Sequence, residues 1–244
     1  MMKPSALASA QPQRNLSDRV THHLMEHIRT NGLASGERLP SEMRLSADLK
    51  ISRGIVREAY RALRSAGILD ISNGRSPRVG ALRSTSFVYL LQHALATQQA
   101  SAEQALDLRA AIEVHAAELA AEKRSADDLK VLTRAVQGMK RARRDIDLFV
   151  RHDVRFHECL GGATGNPLFA LITSALGEAM AASARAGLES RSDQAQVLRV
   201  VESHQEIGDA IAAADPTRAG ECMAHHFEEA QRALAMARSR QKKV

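Results

Sequence analysis

The sequence predicts a mainly α protein, an N-terminal winged helix-turn-helix joined to an all-α antiparallel bundle of about seven helices. Three observations predict it. Apolar residues recur at spacings of three and four over most of the chain, the periodicity of amphipathic helix. One stretch, ILDISNGRSPRVG, breaks that period with an apolar strand, an Asn-Gly turn and a second short strand. The charge is also uneven: residues 1–83 hold 14 Lys and Arg against 7 Asp and Glu, net +7, and residues 84–244 hold 20 against 21, net −1. The formal +6 of the chain thus belongs to its first third. Such asymmetry points to a polyanion-binding module, nucleic acid being the usual polyanion, next to a near-neutral domain.

Taken in order, residues 1–14 read as a disordered tail, with no apolar core of signal-peptide length. Residues 15–80 form the DNA-binding domain. Ser17 is placed to cap a first helix carrying Val20, Leu24 and Ile28, and Asn31-Gly32 ends it. Gly36 and Pro40 mark a turn, a short second helix spans about 41–50, and Ser52 caps a third with Ile55, Val56, Ala59, Tyr60 and Leu63 inward as far as Gly67. The hairpin then supplies the wing. Residues 81–86, ALRSTS, lack periodicity and form the linker. Beyond it, residues 87–238 make the helical bundle, with segments near 86–99, 101–123, 126–143, 146–162, 167–186, 192–214 and 216–238. Residues 239–244 are a basic tail.

Only Cys159 and Cys222 occur, which excludes a disulfide framework and fits a reducing cytoplasm. No uninterrupted apolar run reaches about 18 residues, so no membrane partner is expected. Tryptophan is absent and aromatics are 3% of residues, which favours helices packed through alanine and aliphatic side chains.

In ISRGIVREAYRALRSAGIL, Arg53 and Arg57 lie one turn apart at the start of the third helix, opposite its apolar face. A helix entering the major groove by its N-terminal end needs long donors there, because arginine reads guanine O6 and N7 bidentately. Ser52 and Gly54 flank them and let backbone approach the duplex. Arg44, Arg75 and Arg78 are expected on phosphates, with Gly74 at the tip letting the wing enter a minor groove. The segment GERLPSEMRLSADLKISRGIVREAYRALRSAGIL, residues 36–69, resembles the signature of the GntR superfamily of bacterial transcription regulators. Two departures stand out: Met43 occupies the place after Pro-Ser-Glu where Arg is usual, and NGRSPRVG replaces the usual Gly-Arg-Gly-aromatic-Val wing.

RHDVRFHECL, residues 151–160, sets Asp153 and His157 four positions apart on one helical face. His204, in VESHQEIGD, shares its face with Ile207 and Ile211; His226, in ECMAHHFEEA, shares its face with Cys222, Met223 and Ala230. Taken singly, each histidine reads as a core residue. One Asp and three His converging from three helices make a site for Zn²⁺, Ni²⁺ or Mn²⁺, with one or two positions left for water or an effector carboxylate. These segments, with GGATGNPLFALI and DLRAAIEVHAAELAAEKRS, resemble the FCD-type effector domain of the FadR-like branch of the same superfamily. That resemblance implies a divalent metal on Asp153, His157, His204 and His226, and an effector carboxylate on Arg109, for which the plainer reading is a salt bridge with Glu113. Asn166 reads as a helix cap, and KRARR at 140–144 as a solvated helix end.

The expected function is a cytoplasmic homodimeric repressor that reads a palindromic double-stranded DNA operator and senses a small carboxylate through its metal. The rival reading is an enzyme using the same cluster. It lacks a general acid or base, because Glu158 points away from the His157 face.

Overall fold

A computed structural model describes residues 16–72, 75–191 and 194–241, and divides the chain into two compact units with the division between Arg83 and Ser84. The first unit contains α1 (Leu16–Thr30), α2 (Glu42–Leu49), α3 (Arg53–Ser65), β1 (Leu69–Asp70) and β2 (Arg78–Val79). Buried Val20, Leu24, Leu39, Leu45, Val56, Tyr60, Leu63 and Leu69 form its core. Each such aliphatic side chain contributes about 1.5–3 kcal/mol on burial. Tyr60 donates to the Pro40 carbonyl at 2.6 Å, which ties α3 to the turn before α2, and burial raises its hydroxyl pKa to about 12.

The caps follow local chemistry. Ser41 and Ser52 accept from the backbone N–H of Arg44 and Ile55, and Lys50 closes α2 in the left-handed region at φ 54°. The expected Ser17 cap is corrected. Helix α1 already includes Leu16, and Ser17 is buried in its first turn, one helical turn before Val20 on the inward face. In the wing, Leu69 pairs with Val79 and Asp70 with Arg78, antiparallel, and the Asn73-Gly74 turn lies outside the described residues. The loop after α1 joins this ribbon, with Leu39 N–H donating to the Pro77 carbonyl and Val79 N–H to the Glu37 carbonyl. Gly80 is required by close approach: a Cβ there would stand 2.4 Å from the Gly67 carbonyl oxygen.

The second unit is α4 (Thr85–Ala96), α5 (Ala102–Lys123), α6 (Ala126–Arg141), α7 (Ile146–Ala163), α8 (Pro167–Glu189), α9 (Gln194–Ala212) and α10 (Pro216–Gln241). Side chains punctuate it. Ser101 with Gln104, and Ser125 with Asp128, form capping boxes; Asp145 caps α7, and Asn166 caps α8 with Pro167 in its first turn. Helix α4 ends earlier than its apolar pattern suggests, since Thr97 bonds back to the His93 carbonyl and Gln98 takes φ 58°.

Small residues set the helix spacing. Ala116, Ala117, Ala120 and Ala121 are fully buried on α5, which packs against α10. Gly161 lets α7 meet α8; a Cβ there would fall 2.2 Å from Thr173 Oγ1 and 3.0 Å from the Phe169 carbonyl oxygen. Helix α8 is long and apolar enough to cross a membrane by length and composition alone. Its Leu171, Ala175, Leu176 and Met180 are instead buried, in a helix packed against α4, α5, α7 and α10, as in the central helix of a bundle.

Candidate functional site

Four helices of the second unit send polar side chains to one buried point. Asp153 and His157 come from α7, His204 from α9, His226 from α10, and Arg109 and Glu113 from α5. All six are buried. The ligand nitrogens of His157, His204 and His226 lie within 4.8 Å of one another. Asp153 joins through His204, with Oδ1 3.1 Å from Nε2. Phe156 stacks edge-on against both His157 and His204, at 5.5 and 4.9 Å between ring centroids, and fixes their planes.

The outer nitrogens explain how this cluster could hold a cation. His157 Nδ1 meets the Glu113 carboxylate, and His204 Nδ1 lies 2.7 Å from the Val200 carbonyl. Both partners only accept, so both Nδ1 atoms carry the proton and both Nε2 atoms present lone pairs. Those two Nε2 atoms face each other at 3.4 Å, and His204 Nε2 also faces the Asp153 oxygen. Three acceptors around one point need a positive centre between them. For metal bonds of about 2.1 Å, ligand atoms stand about 3.0–3.4 Å apart, so the geometry fits a first-row divalent ion. His226 completes the set, with Nδ1 3.3 Å from Ser203 Oγ.

Protonation states agree with ligation. Burial pushes His226 well below the ordinary imidazole range and lowers His157, in the latter case aided by the Arg109 charge, so both rings are neutral at neutral pH. Burial opposes ionisation of Asp153 and Glu113, but their neighbours outweigh it. The Arg109 charge and the donated His157 Nδ1–H hold Glu113 low, and the contact with His204, with the Arg109 charge behind it, holds Asp153 low.

Arg109 makes the ion pair with Glu113. Its Nε donates to Glu113 Oε1 at 2.5 Å, while its Nη2 is buried with no hydrogen-bond partner. Arg109, Asp153 and His226 line a mainly apolar cavity together with Leu106, Phe149 and Phe227. An unpaired guanidinium nitrogen at a cavity wall is suited to a carboxylate oxygen. Glu113 is the residue that sequence reasoning undervalued. Its i,i+4 spacing from Arg109 was visible, but its bond to His157, 44 residues away, is tertiary. Cys222 is not part of the cluster, and His225 is exposed beside Glu228.

On the first unit, Arg53 and Arg57 are exposed at the start of α3, as is Arg75 in the wing. Arg57 Nε contacts Glu42 at 3.3 Å, and Arg44 lies 3.7 Å from Asp48; both pairs face solvent, where such pairs hold their partners only weakly. Gly54 stands in open space, where a Cβ would meet only Ser52 Oγ at 4.0 Å, so the protein's own packing does not demand glycine there. Arg78 is half-buried and spends one donor on the Gly36 carbonyl at 2.5 Å, bracing the wing root with part of its capacity. Gly74 lies outside the described residues.

A winged helix-turn-helix with an exposed basic recognition helix, followed by a helical domain around a polar pocket, defines a DNA-binding transcription regulator. Family comparison agrees: the model for bacterial regulatory proteins of the gntR family matches residues 16–79, and the FCD domain matches residues 104–229. Relatives named HTH-type transcriptional repressor NanR, from Salmonella schwarzengrund and Salmonella typhi, are 31% identical over 218 residues, covering 88% of this chain and 82% of theirs. A solved structure described as Streptococcus agalactiae GntR shares the fold with a TM-score of 0.68 at 24% identity, covering 88% of this chain and 99% of its own. The chain belongs to the GntR family of bacterial transcription regulators, in the branch that carries an FCD domain. That family is not enzymatic, which removes the rival reading.

Proposed function

We propose that the protein is a cytoplasmic repressor that binds a palindromic operator as a homodimer and senses a small carboxylate through a divalent metal. The observation that carries the sensor is the convergence of the His157 and His204 Nε2 lone pairs, a His226 ring nitrogen and the Asp153 carboxylate at a cavity that the unpaired Arg109 Nη2 also lines. His157, His204, His226 and Asp153 would hold Zn²⁺, Ni²⁺ or Mn²⁺, and the metal would supply Lewis acidity for a carboxylate oxygen. Glu113 orients His157 and Arg109 together, so the anion-binding guanidinium and the ligand imidazole share one brace. The repressor sense comes from the relatives' names.

In the DNA-binding domain, residues 15–80, Arg53 and Arg57 read bases, Ser52 and Gly54 admit the backbone, and Arg44, Arg75 and Arg78 contact phosphates. Arg57→Ala is expected to weaken binding to a selected operator about 5- to 150-fold, or about 1–3 kcal/mol, while leaving random-sequence binding nearly unchanged. Equal loss on both duplexes in a fluorescence anisotropy titration would demote Arg57 to a phosphate contact.

An acid changes operator affinity only as far as it binds the two states of the regulator unequally. Residues 81–86, joining this domain to residues 87–238, carry that coupling. Operators selected from random duplexes with metal-loaded protein, then titrated with and without candidate acids, test the proposal. At least one acid should shift operator affinity about 5- to 150-fold and lose that effect with a chelator. Unchanged affinity with every acid that binds would refute the sensor.

A further inference from the structure

The cavity above the cluster holds more positive charge than one carboxylate uses. Arg191, just past the end of α8, lines it with Arg109, and Arg199 contributes from α9. Among the described residues, three buried side-chain polar atoms have no hydrogen-bond partner: Arg109 Nη2, Arg124 Nε and Arg191 Nε. Two of the three belong to this cavity. Burial lowers the Arg191 pKa against the opposing charges of Glu229 and Asp153, and neither carboxylate forms a salt bridge with it. Glu229, on the same wall, is taken by Arg232 at 2.6 Å.

Arg191 also lines an adjoining hollow that shares Phe149 and Leu188 with the first and is bordered by Arg143, Arg144 and Glu189, the last of these 3.7 Å from Arg185. Helix α6 ends at Arg141, so these last two arginines of KRARR fall in the turn before α7 and not on a helix face. A basic approach thus leads to a half-buried guanidinium, and from there to the unpaired nitrogen of Arg109.

We propose that Arg191 is a second anion-binding position, so that the effector of this regulator carries two acidic groups, one held by the metal and Arg109 and the other by Arg191. The proposal rests on the metal and Arg109 reading above and names the chemical class of its ligand. A monoacid satisfies Arg109 and leaves Arg191 Nε a buried unsatisfied donor; a diacid satisfies both. Sites built around such donors discriminate strongly against analogues that lack the matching group. Arg143 and Arg144 raise the local concentration of dianions at the entrance without fixing their geometry.

Calorimetric titration of the full-length, metal-loaded protein with matched acids tests this. The pairs are butyrate and succinate, hexanoate and adipate, and glycerate and 3-phosphoglycerate. In at least one pair the diacid should bind at least about tenfold more tightly than the monoacid. In Arg191→Gln and Arg191→Met that advantage should fall to under about threefold, with monoacid affinity unchanged. Because Arg191 Nε has no partner to lose, the melting temperature of both variants should match the parent. Equal binding within every pair, or a diacid advantage that survives both substitutions, overturns the second position alone. Failure of every acid to bind the parent protein overturns the metal and Arg109 reading with it.

Discussion

Replacing His226 with alanine is expected to lower affinity for Zn²⁺, Ni²⁺ or Mn²⁺ on the order of 100-fold or more, while the metal-free protein keeps its helical content. Outer partners of metal ligands typically cost about 10–100-fold when removed, and a first-sphere imidazole costs at least the upper end. His226 is the cleanest of the three to remove. His157 carries the Glu113 carboxylate and His204 the Val200 carbonyl, so their loss strands buried acceptors; His226 contacts Ser203, a hydroxyl that can turn. The effect reads out as stability, because a ligand that binds only the folded state stabilises it by mass action. At a metal concentration about 1,000-fold above the parent Kd, the gain is about 4.1 kcal/mol; a 100-fold weaker variant retains about 1.4 kcal/mol. For a domain of this size those gains correspond to melting shifts of about 8–16 °C and about 3–6 °C. Identical metal-induced shifts in both proteins would remove His226 from the ligand set.

Glu113→Gln is expected to destabilise the metal-free protein by about 3–5 kcal/mol and to weaken metal binding about 10–100-fold as well. Glu113 is fully buried between two donors, Arg109 Nε and His157 Nδ1, and serves each with one oxygen. A glutamine has one oxygen to offer, so its amide must confront one donor with another. Facing Arg109, it leaves a buried guanidinium without its counter-ion; facing His157, it drives the imidazole proton onto Nε2, the nitrogen that must carry the metal. The two losses therefore occur together. Thermal melts with and without metal separate them, and a variant that melts and loads like the parent would make the Arg109–Glu113–His157 chain incidental.

Much of this site was legible because helices announce themselves locally. Ser101, Ser125, Asp145 and Asn166 begin four of the bundle helices by bonds to backbone three residues on or fewer, a short-range chemistry that the sequence states outright. The i,i+4 spacing of Asp153 and His157 fixes their common face for the same reason. The convergence of His204 and His226 on that face is long-range: their inward helical faces made a shared site possible, and the resemblance to FCD domains strengthened it. The brace between Glu113 and His157 depends on the packing of α5 against α7, which no spacing encodes. Ser17 misled because its type suits a cap while its helical phase, shared with Val20 and Leu24, directs it inward. The KRARR run reads as a helix end and is one, with Lys140 and Arg141 in the last turn of α6; composition does not show that Arg143 and Arg144, just beyond it, border a cavity.

The account stands most directly on metal stoichiometry. Native mass spectrometry of chelator-stripped protein, offered Zn²⁺, Ni²⁺ and Mn²⁺ in turn beside the His226→Ala variant, measures it. The account predicts one ion per chain in the parent for at least one of these metals, and loss of that ion in the variant under the same conditions. A parent protein that takes up none of the three, or a variant that loads as fully as the parent, would contradict it.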